Sequence, residues 1–435
     1  MVNMAPTDFS LAGRGLKLDS VEDLKSHVTP LEEAQDITHI DLSGNTFGVP
    51  VCEALASILA SKSHSLESID LHDIFTSRLL EEIPPALTSL LTALLKCDKL
   101  HTIDLSDNAF GLNTKDPLVD FLSKHAPLKH LILNNNGMGP IAGTSIANAL
   151  TSLAARKAEV RKEGKSISDL ESIVCGRNRL ENGSMGAWAK AYEAHKTGIK
   201  SVKMTQNGIR QEGMSHLLRA GLSHCTQLEV LDMQDNTFTI MGAGALAEVV
   251  PTWPELRELG VGDDLLGATG AIKVFEALGR GANNAVEILR LQYNDITAKG
   301  VKALLLAAAP PSTALPKLRR IELNGNKFLE DDPSIEKLAN LLSERKDESG
   351  KPDDPADHWG LDDLDELEEE SDDEDEDEDE DERTGEADAD GDSGVAVGVR
   401  DRILEEADQA EAEPVSQKKE ADVDNLAEAL GKTSL

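Results

Sequence analysis

The sequence predicts an α/β solenoid, with one layer of short parallel strands and one of helices joined by loops at a near-constant interval. Three observations predict it. One phrase (apolar, two residues, apolar, one, apolar, two, then usually Asn) occurs ten times in the first 330 residues. With its last position as marker, the copies fall at Asn45, Ile74, Asn108, Asn136, Asn178, Asn207, Asn236, Asp264, Asn294 and Asn326. Their spacing is 28 to 34 residues, apart from one gap of 42 between Asn136 and Asn178, enough for strand, loop, helix and return loop. The second half of a unit carries helical periodicity, as in Met214, Leu217, Leu218, Leu222 and Cys225.

The phrase is L-x-x-L-x-L-x-x-N, the leucine-rich repeat, at a period close to that of ribonuclease-inhibitor-like repeats. Strands stack about 4.8 Å apart, whereas helices need about 8–10 Å. Strands are therefore expected inside an arc and helices outside, in a horseshoe or crescent. Leu16-Lys17-Leu18 is expected to cap the first repeat as an N-terminal strand, and the segment from Ile335 to Leu342 to be the last helix. Gly213, Gly242, Gly270 and Gly300 each lie six residues past a marker and are expected to allow a tight strand-to-helix turn. The 42-residue gap holds a charged insertion, read as a longer helix or exposed loop. The second unit replaces the marker Asn by Ile74, within HDIFTSR.

The formal charge of −37 is concentrated at one end, since residues 353–435 hold 35 acidic and 6 basic side chains. Two regions follow: a repeat domain over 1–350 and an acidic, largely disordered tail over 351–435. That charge disfavours nucleic acid and anionic membrane and suits a basic partner. Glu386 to Val397 imitates a calcium loop but lacks the acid required at its twelfth position, so no metal is expected there. Asp422 to Leu430 has the pattern of a short partner-binding amphipathic helix. Cys52, Cys97, Cys175 and Cys225 are too far apart for a metal motif and read as free thiols in a reducing compartment. No leader or membrane-length apolar run is visible, so a soluble, intracellular monomer is expected. His64, His72 and His101 have no nucleophile at useful spacing, and no phosphate-binding glycine loop occurs. Periodicity alone gives a binding scaffold with no cofactor of its own.

The marker amides are expected to turn inward and satisfy the backbone at the strand end. The residue before each marker belongs neither to the apolar phrase nor to that ladder, and is expected to point outward along a rim. This row is Gly44, Asp73, Asp107, Asn135, Arg177, Gln206, Asp235, Asp263, Tyr293 and Gly325.

Several segments go beyond the repeat consensus: DIFTSRLLEEIPPAL (73–87), ALLKCDKLHTIDLSDNAFG (93–111), FLSKHAPLKHLILNNNGMGP (121–140), VCGRNRLENGSM (174–185), MQDNTF (233–238), LRLQYNDI (289–296) and IELNGNKF (321–328). Over residues 8–345 the chain resembles the Ran GTPase-activating proteins in their fungal form. The resemblance implies a cytoplasmic activator of GTP hydrolysis on Ran, supporting nucleocytoplasmic transport. It would act in trans and not be an enzyme itself, since Ran-GTP brings nucleotide, Mg2+ and a water-orienting glutamine. An accessory Ran-binding protein is left open. The resemblance implies no arginine finger, and assigns the catalytic contact to Asn135 in LNNNG, with Asn134 as its neighbouring alternative. It gives Arg78 an activity-supporting role, either in the interface or in support of the Asn135 loop. Asp107, Arg177, Gln206 and Asp235 are partner-binding candidates from rim position. Two other classes remain: an acidic histone-binding chaperone, whose repeats are shorter, and a ribonuclease-inhibitor-like scaffold, which is cysteine-rich.

Overall fold

A computed structural model describes residues 7–350 and 359–368, which lie within the first of two units, Met1–Gly385 and Glu386–Leu435. Most of the acidic run, the calcium-loop imitation and the 422–430 segment fall outside the described residues.

The ten phrases become ten strands of a parallel sheet. Between neighbours such as Thr102–Asp104, His130–Ile132 and Ser172–Val174 the register is in step, pairing Ile103 with Leu131 and Leu131 with Ile173. Each strand is three residues long, and its central side chain is buried under the helices. Two further strands close the ends, giving twelve in sequence order. At the start, Asp8–Ser10 pairs with His39–Asp41. The strand expected at Leu16-Lys17-Leu18 exists as Lys17–Leu18, but it pairs with Thr46–Phe47 in a separate two-stranded sheet. Phe9 and Leu11 supply a truncated phrase without a marker Asn, so the repeat pattern passes over them.

The other end departs further from expectation. The helix Pro333–Ser349 is the expected last helix. Beyond it, Gly360–Leu361 adds a twelfth strand on Arg320–Glu322, past the domain boundary expected at 350. Leu361, Leu364 and Leu367 pack against the core, the Asp362 carboxylate accepts the backbone N–H groups of Leu323 and Asn324 at 2.7 and 3.0 Å, and the Trp359 ring lies 5.9 Å from the Arg319 guanidinium. Acidic residues thus begin as a cap: every third residue is leucine, and the interleaved carboxylates meet free donors at the sheet edge.

Helices form the second layer, each packed on its sequence neighbours. The 42-residue gap is taken up by the helix Gly139–Lys162, 24 residues long. Its Lys157 is buried and donates to the carbonyls of Ala126, Leu128 and Ser168 at 2.6–2.7 Å. The four glycines do not make turns. They lie in the first turns of helices, where a Cβ on Gly213 would stand 2.4 Å from Asn182 Oδ1 and one on Gly300 2.7 Å from Ile296. They are there for close packing. All four cysteines are buried, and burial pushes the thiols of Cys52, Cys175 and Cys225 up to about 12. Among the described residues no helix is long and apolar enough to cross a membrane.

The marker amides form a continuous buried ladder. Asn136 Nδ2 donates to Leu105, Leu133 and Asn134 carbonyls, while its Oδ1 accepts the N–H of Asn108 at 3.0 Å. The same exchange runs through Asn178, Asn207 and Asn236, then Asn294 and Asn326. Asp264 interrupts it. Its Oδ1 accepts the N–H of Asn236 at 2.8 Å, but Oδ2 has no partner, although the residue is fully buried. Burial, with the charges of Asp263, Asp232 and Asp235, pushes this carboxyl well above its usual range, against the lowering effect of the Asn236 N–H.

An acid whose folded pKa is raised contributes most stability below its unfolded pKa, near 3.8, and loses it as pH rises. Asp264→Asn is therefore expected to raise the melting temperature at pH 7 and leave it nearly unchanged at pH 4. Calorimetry of both proteins at the two pH values checks this, and an equal shift at both contradicts it. A chain ending at 368 should melt as the full chain does, while one ending at 350 should melt at least about 5 °C lower, having lost the capping strand and its leucines.

Candidate functional site

Every rim residue adopts left-handed backbone geometry. Asp73, Asp107, Asn135, Arg177, Gln206, Asp235, Asp263 and Tyr293 have φ between 48° and 59°, and Gly44 and Gly325 occupy the same region at 64° and 70°. Such a conformation costs a non-glycine residue of order 1 kcal/mol or more. It recurs because the marker must plunge inward at the next position while the chain reverses toward its helix. The rim N–H groups are braced in turn: Asp107 donates to Asn134, Asn135 to Gly176, Arg177 to Thr205, Gln206 to Gln234 and Asp235 to Gly262, all at 2.9–3.0 Å. Asp107, Asn135, Arg177, Gln206 and Asp235 are exposed, as expected, in one row at the end of the strand layer.

Asn135 and Asp107 are brought together. Asn135 Nδ2 donates to Asp107 Oδ1 at 2.7 Å. A carboxylate only accepts, so the Asn135 amide must turn its NH2 toward Asp107. Its Oδ1 then faces solvent with no partner among the described residues. Asn134 is a different kind of residue. Its Oδ1 accepts the Gly176 N–H at 2.7 Å, and its own N–H donates to Ser106 Oγ at 3.1 Å. It staples the loop, with little freedom to reach out.

Arg78 is not where a contact residue would be. Only 7% of its side chain is exposed. Its guanidinium pairs with Asp19 and donates to Thr46 Oγ1, Thr46 O and Leu18 O at 3.0–3.1 Å. The acids near Asn135 do not bind it. Arg78 fastens the irregular second-unit loop to the N-terminal cap, a role invisible in sequence because Asp19 lies 59 residues away.

Beside Asp107, the inner face carries Asp70, His72 and Asp104, whose ligand-capable atoms lie within 4.8 Å of one another. Internal hydrogen bonds occupy them: His72 Nδ1 meets Asp70 Oδ1 at 3.0 Å, and Asp104 accepts the Ser106 N–H at 2.8 Å. Burial pulls the His72 pKa down, but the Asp70 hydrogen bond and the Asp70, Asp104 and Asp107 charges outweigh it and raise it. The patch is acidic and partly protonatable. His125 and His195 are buried instead, each bonded to a carbonyl, and burial brings both down to about 4. They are structural.

Comparison with known proteins places the chain in a family. The chain is 40% identical over 334 residues to Ran GTPase-activating protein 1 of Saccharomyces cerevisiae, covering 76% of this chain and 81% of that one. The chain belongs to the Ran GTPase-activating protein family. The Drosophila melanogaster Ran GTPase-activating protein is 32% identical over 337 residues, 77% of this chain and 54% of its own. The Xenopus laevis Ran GTPase-activating protein 1 is 36% identical over 210 residues, 48% of this chain and 35% of its own. Residues 282–305 match a family model described as Leucine Rich repeat, in the unit whose marker is Asn294. For this family member the sequence-derived site divides: Asn135 and Asp107 form an exposed polar pair, Asn134 staples the loop that carries Asn135, and Arg78 ties the second-unit loop to the N-terminal cap.

Proposed function

We propose that this protein accelerates GTP hydrolysis on a Ran-type G protein by fixing the partner's water-orienting glutamine with the Asn135 carboxamide. One observation carries the reading: Asn135 is exposed on a braced rim with its amide orientation set by Asp107. With Nδ2 held by that carboxylate, Oδ1 is left to accept an N–H from the glutamine amide. The glutamine carbonyl then turns toward the attacking water. Nucleotide and Mg2+ belong to the partner, so the activator contributes placement alone, and restricting a reacting group to its productive pose is a large share of catalysis in phosphoryl transfer.

Asp107 is the positioning residue in this scheme. Arg177, Gln206 and Asp235 continue the same rim and extend the partner contact along it. The acidic run beyond 368 raises the encounter rate with a basic partner at low salt. The protein works as a cytoplasmic monomer, and an accessory Ran-binding protein is not required by this chemistry.

Single-turnover hydrolysis on GTP-loaded Ran tests the reading. Asn135→Ala should lower the maximal rate by about 10²-fold, the scale of losing one preorganised polar contact, with affinity for Ran-GTP changed by less than about tenfold. Activity near the native level would refute the assignment. Asp107→Asn keeps the shape but lets the Asn135 amide flip. It should cost about tenfold in kcat, with KM and melting temperature nearly unchanged, as expected where one of two amide poses is productive only part of the time.

A further inference from the structure

We infer that Leu79 and Leu80, with Leu112 and Ile141, form the apolar anchor by which this rim grips its G-protein partner; the inference rests on the reading of Asn135 above. Leu79 and Leu80 are 68% and 60% exposed, and Leu112 and Ile141 are 45% and 64% exposed. They come from three consecutive units, those of Ile74, Asn108 and Asn136. Leu79, Leu80 and Leu112 lie in the passage from strand to helix, the edge that carries Asp107 and Asn135, and Ile141 lies in the first turn of the helix Gly139–Lys162. The loops are in contact: the Gly111 N–H donates to Asn136 O at 2.9 Å, and the Phe75 and Phe110 rings are 6.4 Å apart.

Exposed leucines are common on protein surfaces, and scattered ones need no explanation. These are held in place. Ser77 turns the chain at φ 65°, the Arg78 N–H donates to Phe75 O at 3.0 Å, and the Leu79 N–H donates to Glu82 Oε2 at 2.9 Å. Between them the buried Arg78 guanidinium ties the loop to Asp19, Leu18 and Thr46. A loop secured from behind by a buried arginine, with two adjacent leucines turned to solvent, presents a rigid apolar knob. It needs no ordering on binding, which lowers the cost of association.

The surroundings say what covers it. Asp73, Glu81, Glu82 and Asp107 lie within six residues of Leu79, Leu80 or Leu112 along the chain, so the loops that carry the apolar residues are acidic, and an apolar centre with a polar margin is the usual anatomy of a protein interface. The occupant is the partner whose nucleotide Asn135 must reach. Segments ordered by the terminal phosphate of GTP lie beside that phosphate, so an apolar patch on those segments, flanked by basic side chains, meets the leucines. This also gives Arg78 its activity-supporting role: it presents Leu79 and Leu80.

The test uses the full-length chain and purified Ran loaded with GTP for hydrolysis, or with a non-hydrolysable analogue for binding. Leu79→Ser/Leu80→Ser should raise KM and the analogue Kd by at least about tenfold, the scale of losing an anchoring side chain, with kcat at saturation within about threefold and melting temperature unchanged. Leu306→Ser, at a leucine 60% exposed on a helix, is the control and should change nothing. Affinity unaltered by the double substitution overturns the inference, as does a loss of kcat without loss of affinity. If Asn135→Ala still loses its rate in that case, the reading of the rim stands without the anchor; if native protein gives no acceleration at all, the reading itself has failed.

Discussion

The stack of buried carboxamides is the constraint from which the rest follows. Each marker Asn has one acceptor and two donors, and it uses them to satisfy a backbone N–H of the preceding unit and carbonyls at two strand ends. Buried amide groups left unmet would cost about 1–3 kcal/mol each. To bring the marker inward at that point, the residue before it must take positive φ, and its side chain is thereby thrown outward. A structural demand thus generates, once per unit, a braced and exposed position. The exposed rim is a by-product of how the strand ends are satisfied. Asp264 shows the rule from the other side, since an acid in this place leaves a buried oxygen without a partner, and burial pushes its carboxyl well above the usual range.

Much of this was legible in the sequence because the phrase fixes both the buried and the exposed positions. Ten strands, the inward markers and the outward row from Gly44 to Gly325 all follow from counting, while the insertion after Asn136 reads equally as a longer helix or an exposed loop and is the helix Gly139–Lys162. Three features were not legible, each for a physical reason. The end strands Asp8–Ser10 and Gly360–Leu361 carry partial phrases, and in the second the leucines are interleaved with enough acid to read as an unfolded run. The glycines answer close packing: Gly213 and Gly270 meet Asn182 and Ala243 of the preceding unit, a contact that local pattern cannot show, while Gly242 and Gly300 make room for Phe238 and Ile296 four residues back. Arg78 acts on Asp19 and Thr46, so its role exists only in three dimensions. Asn135 could be picked from the other rim residues only by family resemblance. Its pairing with Asp107, which orients the amide, needed coordinates.

Where the chain breaks its own rules is also informative. From Asn207 to Asn294 the units are regular, with helix glycines in register and a ladder of buried side chains interrupted at Asp264. The departures gather in the units from Asn45 to Asn178. The marker amide is replaced by Ile74, the Arg78 loop is pinned to the cap, and Asp70, His72 and Asp104 crowd the inner face. Each of these adds a local cost or forgoes a local gain, and a fold tolerates such costs where another demand sets the residue.

A rigid, repetitive scaffold is suited to catalysis by placement. Each unit contributes one rim residue at a spacing set by the strand ladder, about 4.8 Å, and the backbone bonds between successive rim residues leave little slack. Inserting a long flexible cation would need a loop able to enter the partner, yet Arg78 is locked into the cap, and the rim side chains rise from the braced strand ends. What the geometry offers instead is a short carboxamide whose orientation is fixed from below by a carboxylate. Its entropy of positioning is met at folding, before the partner arrives. On the function proposed above, such a group would add no charge to the reaction and would suit a partner that carries its own cation and metal.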